Sequence, residues 1–489
     1  VDRVRRGAGD FVHRARLGTL DANGEAVRIQ AVIFFALAIA AFAHVGSPDV
    51  FFEGSAGSYP LFVTIRPPSV IPGVAEIEIR CSSPDVSEIR ITPTPMIGPA
   101  AKFAPTPDLM KRSTLDPQFF TGSLWLMSSG SWQVHVEATG AKGSRRLSVP
   151  VPAVATATKP MQAAMGALLF VMMIVLACGI VSIVGASTRE AQLDPGTAPS
   201  DRNQRRARIL MGATGALVVF ALWSGNRWWT AEANSYSRIM YKPLGMSASI
   251  EPGDRLVLKL SDTGWLRRRM DDFLPDHGHL MHLYVIGADA NRVWHLHPEL
   301  QAAGEFAQNL PAMPAGRYKL YADVVHRDGL PETLVAELNV PGALKGTALS
   351  GDDAGGVRGE SPDGARIEWI RDPTEIKSKQ PVIFKFRLVD REGKPVDDAE
   401  LYMGMLGHAA FVKNDGTVFA HVHPSGSVPM AALELANPSA PQHDHMHVQS
   451  LPAGADFPYG FPRAGDYRII VQMKHAGVVE TGIFDAKVE

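Results

Sequence analysis

The chain has 489 residues, and its 48 Lys+Arg nearly balance 50 Asp+Glu, for a formal net charge of −2. That balance excludes a basic field for nucleic acid and an acidic disordered chain, and the length predicts about three domains. Two cysteines, Cys81 and Cys178, exclude a disulfide framework and a cysteine-based zinc site, so the 16 histidines become the conspicuous metal-competent groups.

Residues 1–43 read as a basic leader. Arg3, Arg5, Arg6, Arg14, Arg16 and Arg28 precede a 13-residue apolar run, 31–43, too short for a span of roughly 20 residues but right for a signal-peptide core. Ala41-Phe42-Ala43 fits the small-x-small cleavage rule, and an uncleaved anchor is the rival reading. Cleavage there makes His44 the N-terminus, where its amine and imidazole together offer a histidine brace with His135 as a candidate partner.

Segment 44–160 predicts an antiparallel sandwich. Ala75, Ile77 and Ile79 alternate with Glu76, Glu78 and Arg80, and Trp132, Val134 and Val136 alternate with Gln133, His135 and Glu137. Two transmembrane helices are expected next, over 161–186 and 209–229, the second ending in Trp223, Trp228 and Trp229. Between them, 187–208 carries Arg189, Arg202, Arg205, Arg206 and Arg208, whereas the outer flanks offer Lys159 and Arg227. The short loop is therefore expected to be cytoplasmic, placing both large segments outside a bacterial inner membrane, in the periplasm.

The C-terminal half contains an internal repeat. His282 precedes His295-Leu296-His297-Pro298 by 13 residues, and His408 precedes His421-Val422-His423-Pro424 by the same 13. Gly316-Arg317-Tyr318 leads by ten residues to His326, as Gly465-Asp466-Tyr467 leads to His475. The copies span 243–345 and 365–489, with a Gly/Asp-rich linker at 346–364. The second copy carries about 23 extra residues, which include His443, His445 and His447. The fold expectation is mainly β: three Ig-like antiparallel β-sandwich domains plus two or three membrane-associated hydrophobic helices.

Strand parity bears on whether these histidines meet. A hairpin turning at Asp415-Gly416 with an even-length loop puts His408, His421 and His423 on one face, and the same holds for His282, His295 and His297. His326 and His475 are expected to join from a later strand. Upstream of His282 stand His277 and His279; at matching positions before His408 stand Met403 and Met405. Thioether suits Cu(I), and imidazole suits Cu(II) and zinc. Met281, Met430 and Met473 read as packing residues, and Asp276, Glu299 and Asp444 as carboxylates near the histidines.

One stretch carries a resemblance. Residues 382–390 (VIFKFRLVD), then Gly393-Lys394-Pro395-Val396, Asp398-Ala399-Glu400-Leu401 and Met403-Gly404-Met405-Leu406-Gly407-His408, resemble the YtkA-like and FixH-like extracytoplasmic β-sandwich family. The resemblance covers the last 120 residues or so, extends to 243–345 through the repeat, and reaches 44–155 loosely. It implies a setting similar to periplasmic copper-handling proteins, including CopC-like sandwiches with an N-terminal histidine ligand, the place His44 takes here. The chain departs from that family in its doubled His-x-His-Pro element and its two central spans.

The expectation is a membrane-anchored copper protein for storage, buffering or delivery to a metalloenzyme or copper transporter. Each copy holds one ion, through His282, His295, His297 and His326 or through His408, His421, His423 and His475; zinc is the alternative metal. Two other readings stay open: a metal-free assembly scaffold for a membrane oxidase or transporter, and a copper oxidase using the His44 brace. No serine elbow, His-Glu-x-x-His helix, phosphate-binding glycine loop or Cys-x-x-Cys occurs, so binding is favoured over catalysis.

Overall fold

Strand β1 (Val50–Ala56) starts a run of nine: β2 (Tyr59–Arg66), β3 (Gly73–Cys81), β4 (Val86–Pro95), β5 (Asp108–Leu109), β6 (Lys111–Arg112), β7 (Phe119–Leu126), β8 (Gly130–Gly140) and β9 (Gly143–Ala153). They form two antiparallel sheets, ordered β1-β2-β3-β7-β6 and β5-β4-β8-β9, around one apolar core. The period-two alternation explains the arrangement: Ala75, Ile77, Ile79, Val134 and Val136 are buried, whereas their polar neighbours face outward. The structure, a computed structural model, describes residues 45–46, 48–194, 196–265, 268–361, 364–438 and 451–489. The leader, His44, and His443, Asp444, His445 and His447 lie outside the described residues.

Two helices follow, α1 (Ala163–Glu190) and α2 (Asp201–Ile239), both long and apolar enough to cross a membrane. Their apolar side chains, such as Phe170, Leu176, Leu217 and Phe220, are exposed rather than packed in a core. The helices meet closely where Gly185 lies against Met211, whose sulfur would be 2.5 Å from any added Cβ. The connection is shorter than the expected 187–208 loop, because Ser200 caps α2 by accepting from the Asn203 backbone N–H, and the arginine-rich segment becomes its first turns.

The repeat builds two further sandwich-like units. The first has β10 (Gly245–Glu251), β11 (Arg255–Ser261), β12 (Phe273–Leu274), β13 (His282–Gly287), β14 (Arg292–Leu296), β15 (Glu299–Ala302), β16 (Glu305–Asn309), β17 (Gly316–His326) and β18 (Pro331–Val340). Its sheets are β10-β11-β16-β15 and β12-β17-β13-β14, with β18 on the outer side of β17. The expected linker departs from a plain tether: β19 (Ala354–Val357) adds to the open edge of β14, pairing His295 with Ala354. An unpaired strand edge inside the molecule needs a backbone partner, and β19 supplies it.

The second copy has β20 (Arg366–Ile370), β21 (Val382–Val389), β22 (Ala399–Glu400), β23 (His408–Lys413), β24 (Phe419–Val422), helix α3 (Met430–Ala436), β25 (Gly454–Tyr459), β26 (Gly465–His475) and β27 (Val478–Val488). Its sheets are β20-β21-β25 and β22-β26-β23-β24, with β27 on β26. The registers of the copies match. His282 pairs with Asp323 and Asp323 with Thr333; His408 pairs with Gln472 and Gln472 with Thr481.

The larger sheets of the two copies stack face to face. Leu283 and Val285 enter the first copy's own core, whereas Tyr284 and Ile286 join Val293, Tyr321, Ala410, Val412, Phe419 and Ile470 in a core between the copies. Tyr321 and Phe419 stack with ring centroids 4.5 Å apart. Burial on both faces is why β13 and β23 read as nearly continuous apolar runs.

Candidate metal centre

Parity sorts the histidines. His282, His295 and His297 share the face of Tyr284 and Val293, so they point between the copies; His408, His421 and His423 do the same from the other side. The β23–β24 register puts His408 opposite His423, as a two-residue loop at Asp415-Gly416 requires, because Ala409 pairs with Val422. The two trios repeat each other closely. Ring centroids of His282–His295, His282–His297 and His295–His297 are 5.4, 5.0 and 4.7 Å apart. Those of His408–His421, His408–His423 and His421–His423 are 5.3, 5.1 and 4.7 Å apart.

Hydrogen bonding fixes which nitrogens face inward. His282 Nε2 lies 2.9 Å from the Asp276 carbonyl and His408 Nε2 lies 3.2 Å from the Tyr402 carbonyl. A carbonyl only accepts, so each Nε2 carries the hydrogen and each neutral ring turns its Nδ1 lone pair inward. His297 Nδ1 donates to Asp353 Oδ1 at 3.1 Å and His423 Nδ1 to the Val428 carbonyl at 3.4 Å. Their Nε2 atoms, and that of His277, are buried with no hydrogen-bond partner among the described residues. His295 Nδ1 lies 2.9 Å from Gln472 Oε1, while Gln472 Nε2 donates to Thr481 Oγ1. His421 Nδ1 stands 3.5 Å from Asp323 Oδ2. His282 Nδ1 lies 3.2 Å from His295 Nε2 and His408 Nδ1 lies 3.1 Å from His421 Nε2, so each trio gathers one Nδ1 and two Nε2 atoms, their other nitrogens facing carbonyls or carboxylates, as metal-ligating imidazoles do.

The buttresses cross between the copies. Gln472 of the second supports His295 of the first, and Asp323 of the first faces His421 of the second. His277 crosses too, its ring 4.9 Å from that of His408 and 4.8 Å from that of His423. The ligand atoms of His277, His408 and His423 lie within 4.8 Å of one another, as do those of His282, His295 and His297.

His277 is placed by a tight turn, Asp276-His277-Gly278-His279, closed by two backbone hydrogen bonds between Asp276 and His279. Both central residues have positive φ, 50° and 88°. The second copy repeats this turn at Tyr402-Met403-Gly404-Met405, with φ 48° at Met403 and 79° at Gly404. Met403 is therefore the counterpart of His277, and Met405 that of His279. Holding a β-carbon in the left-handed region costs about 1–2 kcal/mol per residue, and strain of this kind concentrates at functional sites. His279 stacks on His297 at 4.0 Å and reaches Asp352 Oδ2 at 3.0 Å; Met403 packs with Tyr402 and Ala354.

Burial sets the charge state. It pushes the imidazoles of His282, His295, His408 and His421 well below their ordinary range, helped by neighbouring imidazoles, and takes His423 down to about 4. His297 is also lowered by burial, against the pull of Asp353. Neutral imidazoles keep their lone pairs available to a cation. Asp323 is raised by burial to about 7, with the Thr333 hydroxyl acting the other way. A cavity of about 200 Å³ opens onto Asp276, His282, Asp323, His421 and His423, and is lined as well by Pro67, Pro68, Pro150 and Pro152 of the first sandwich.

Four expected site residues lie elsewhere. His326 is three positions beyond Asp323 and His475 three beyond Gln472; an odd offset turns both to the other face of their strands. There each pairs with the aspartate just before a short strand, His326 with Asp272 at 2.9 Å and His475 with Asp398 at 3.5 Å. These pairs clasp the strands β12 and β22 that lead into the two turns. His135 uses both ring nitrogens, on Thr94 Oγ1 at 3.0 Å and Ser148 Oγ at 2.8 Å, apart from the cluster. Glu299 is exposed on β15. Sequence reasoning missed Asp323 and Gln472, although both stand three residues before matched histidines, and missed Asp352 and Asp353, for which no period exists.

The first sandwich and α3 brace the centre. The turn His423–Gly426 is held by β1, with Glu53 N–H donating to the Ser425 carbonyl and Ser427 N–H to that of Phe51. Gly426, at φ 120°, approaches so closely that a Cβ would be 2.0 Å from the Phe51 carbonyl oxygen. Ala431 N–H donates to Asp276 Oδ1, tying α3 to the first turn.

The profile of one domain family matches residues 244–342 and 360–489, one stretch over each copy. Its description is a domain of unknown function, DUF8832. No curated protein sequence matches the chain. Similar solved structures include a tetra-tandem repeat from the extending region of a large adhesion protein (9% identity, 88% of this chain and 74% of that one, TM-score 0.16). A Salmonella alpha-2-macroglobulin reacted with methylamine shares 8% identity over 91% of this chain and 23% of its own, with TM-score 0.19. A membrane anchored protein from Corynebacterium diphtheriae shares 9% over 90% and 94%, with TM-score 0.15. The chain therefore spans about a quarter of the macroglobulin's length.

Proposed function

We propose that this chain is a membrane-anchored, extracytoplasmic metal-binding protein that holds copper between its two C-terminal sandwiches, for storage, buffering or delivery to a partner. One observation carries the reading: the ligand atoms of His282, His295 and His297, and those of His277, His408 and His423, each gather within 4.8 Å of one another, and the Nε2 atoms of His277, His297 and His423 have no other partner among the described residues. A buried polar nitrogen left without a partner costs about 1–3 kcal/mol, and a soft or borderline cation removes that cost. Imidazole suits copper and zinc alike; the Met403 and Met405 counterparts favour Cu(I) on one side. The resemblance of 382–408 to YtkA-like and FixH-like domains supports the same setting, with three Ig-like domains outside the cytoplasm and the arginine-rich segment between the two spans on the cytoplasmic side.

Copper loading of the full chain in detergent, followed by removal of weakly held metal with a mild chelator, tests this. Retained copper should be lost in the His297→Ala/His423→Ala variant, with thermal unfolding monitored to show that the variant still folds. No retention by the parent chain, or equal retention by a folded variant, overturns the reading. Zinc in place of copper would change the metal alone. External protease on spheroplasts tests the topology: protection of 243–489 contradicts it.

A further inference from the structure

We propose that the two trios form one dinuclear copper centre, not two independent sites; this rests on the metal-binding reading above. The distances between trios are close to those within them. His282 and His421 have ring centroids 5.3 Å apart, His295 and His421 5.6 Å, and His295 and His408 6.3 Å. Ions held by donor sets this close together can stand roughly 3.5–4 Å apart, the separation that characterises two-metal sites.

The supports are shared as well. Gln472 of the second copy orients His295 of the first, Asp323 of the first faces His421 of the second, and Tyr402 Oη stands 3.5 Å from His295 Nδ1. Moving either trio to fit an ion therefore moves a group that positions the other. Three imidazoles leave the ion of the first trio a coordination position free, and the cavity reaches His282 of that trio and His421 and His423 of the other. A water entering there can bridge both ions as hydroxide, releasing its proton to solvent, which partly offsets the charge of two Cu(II) among neutral rings. The two copies also differ here: the imidazole of His277 stands beside the second trio, and its counterpart in the second copy's turn is Met403.

The test uses the full chain carrying His443→Ala, His445→Ala and His447→Ala, so that this histidine-rich tract does not add copper. Cu(II) is titrated in, bound metal is counted by mass spectrometry, and unpaired spin is integrated by electron paramagnetic resonance. A dinuclear centre gives two copper ions per chain with most of the bound copper silent, because bridged Cu(II) spins couple. His297→Ala should then lower the occupancy of both ions. Two ions with the full spin signal, or His297→Ala losing one ion and leaving the other unchanged, overturn the dinuclear assignment while sparing the metal reading. One ion per chain overturns it likewise. No bound copper overturns both.

Discussion

His297 shows how a side chain is prepared for a ligand one atom at a time. Asp353 accepts from both its backbone N–H and its Nδ1, and Gln308 in turn donates to the other Asp353 oxygen, so the ring cannot rotate and Nε2 faces inward. Asp353→Asn keeps the shape and removes the charge. Copper affinity should fall about tenfold, the lower end for loss of such a partner, as read by competition with a chelator of known affinity. His326 behaves differently. Burial opposes its charge, but Glu332 and Asp272 outweigh burial and hold its imidazole above the ordinary value. A raised folded pKa stabilises fully below the unfolded value of about 6.5 and is lost as pH rises through the folded one. His326→Gln should therefore lower the melting temperature most near pH 6, with the gap to the parent narrowing toward pH 9. A constant gap across that range would mean that charge contributes nothing there.

At the scale of elements, the short strand β19 does more than its length suggests. It closes the edge of β14 and follows directly on Asp352 and Asp353, which hold His279 and His297. Gly356 makes its approach possible, since a Cβ there would be 2.4 Å from Thr481 Cβ. Gly356→Val should push β19 away from β27, cost about 1–3 kcal/mol through overpacking, and weaken copper retention without altering any histidine. Normal retention with a lowered melting point would separate the strand from the site. The sequence showed the hairpin parity that gathers each trio, because period two and an even loop are local properties of the chain. It did not show β19: a Gly/Asp-rich segment reads as a linker, and its pairing depends on an edge that exists only once β13 and β14 have formed. His326 and His475 were matched in spacing yet belong to the other face, a consequence of strand register rather than of spacing.

At the scale of the whole molecule, the centre depends on the stacking of one sheet on another. Phe419 packs on Tyr321 and Tyr284 of the facing copy, two residues before His421. Phe419→Ala should destabilise the paired copies by about 3–5 kcal/mol, seen as a lower calorimetric transition, and should loosen both trios together. Retention of copper by one trio alone would argue that the copies work separately. The sequence by itself determined the mainly β character, the two long apolar helices, the repeat and the shared strand face of His282, His295 and His297 and of His408, His421 and His423, since each follows from periodicity or spacing within a short stretch of chain. Only the tertiary structure decided that the trios face each other, that His277 crosses to the partner copy, and that Asp323, Gln472 and Asp353 stand behind the imidazoles. Those contacts join residues such as His295 and Gln472, 177 positions apart, and they are fixed by which sheet faces bury against each other, a choice that hydrophobic burial makes for the folded molecule as a whole.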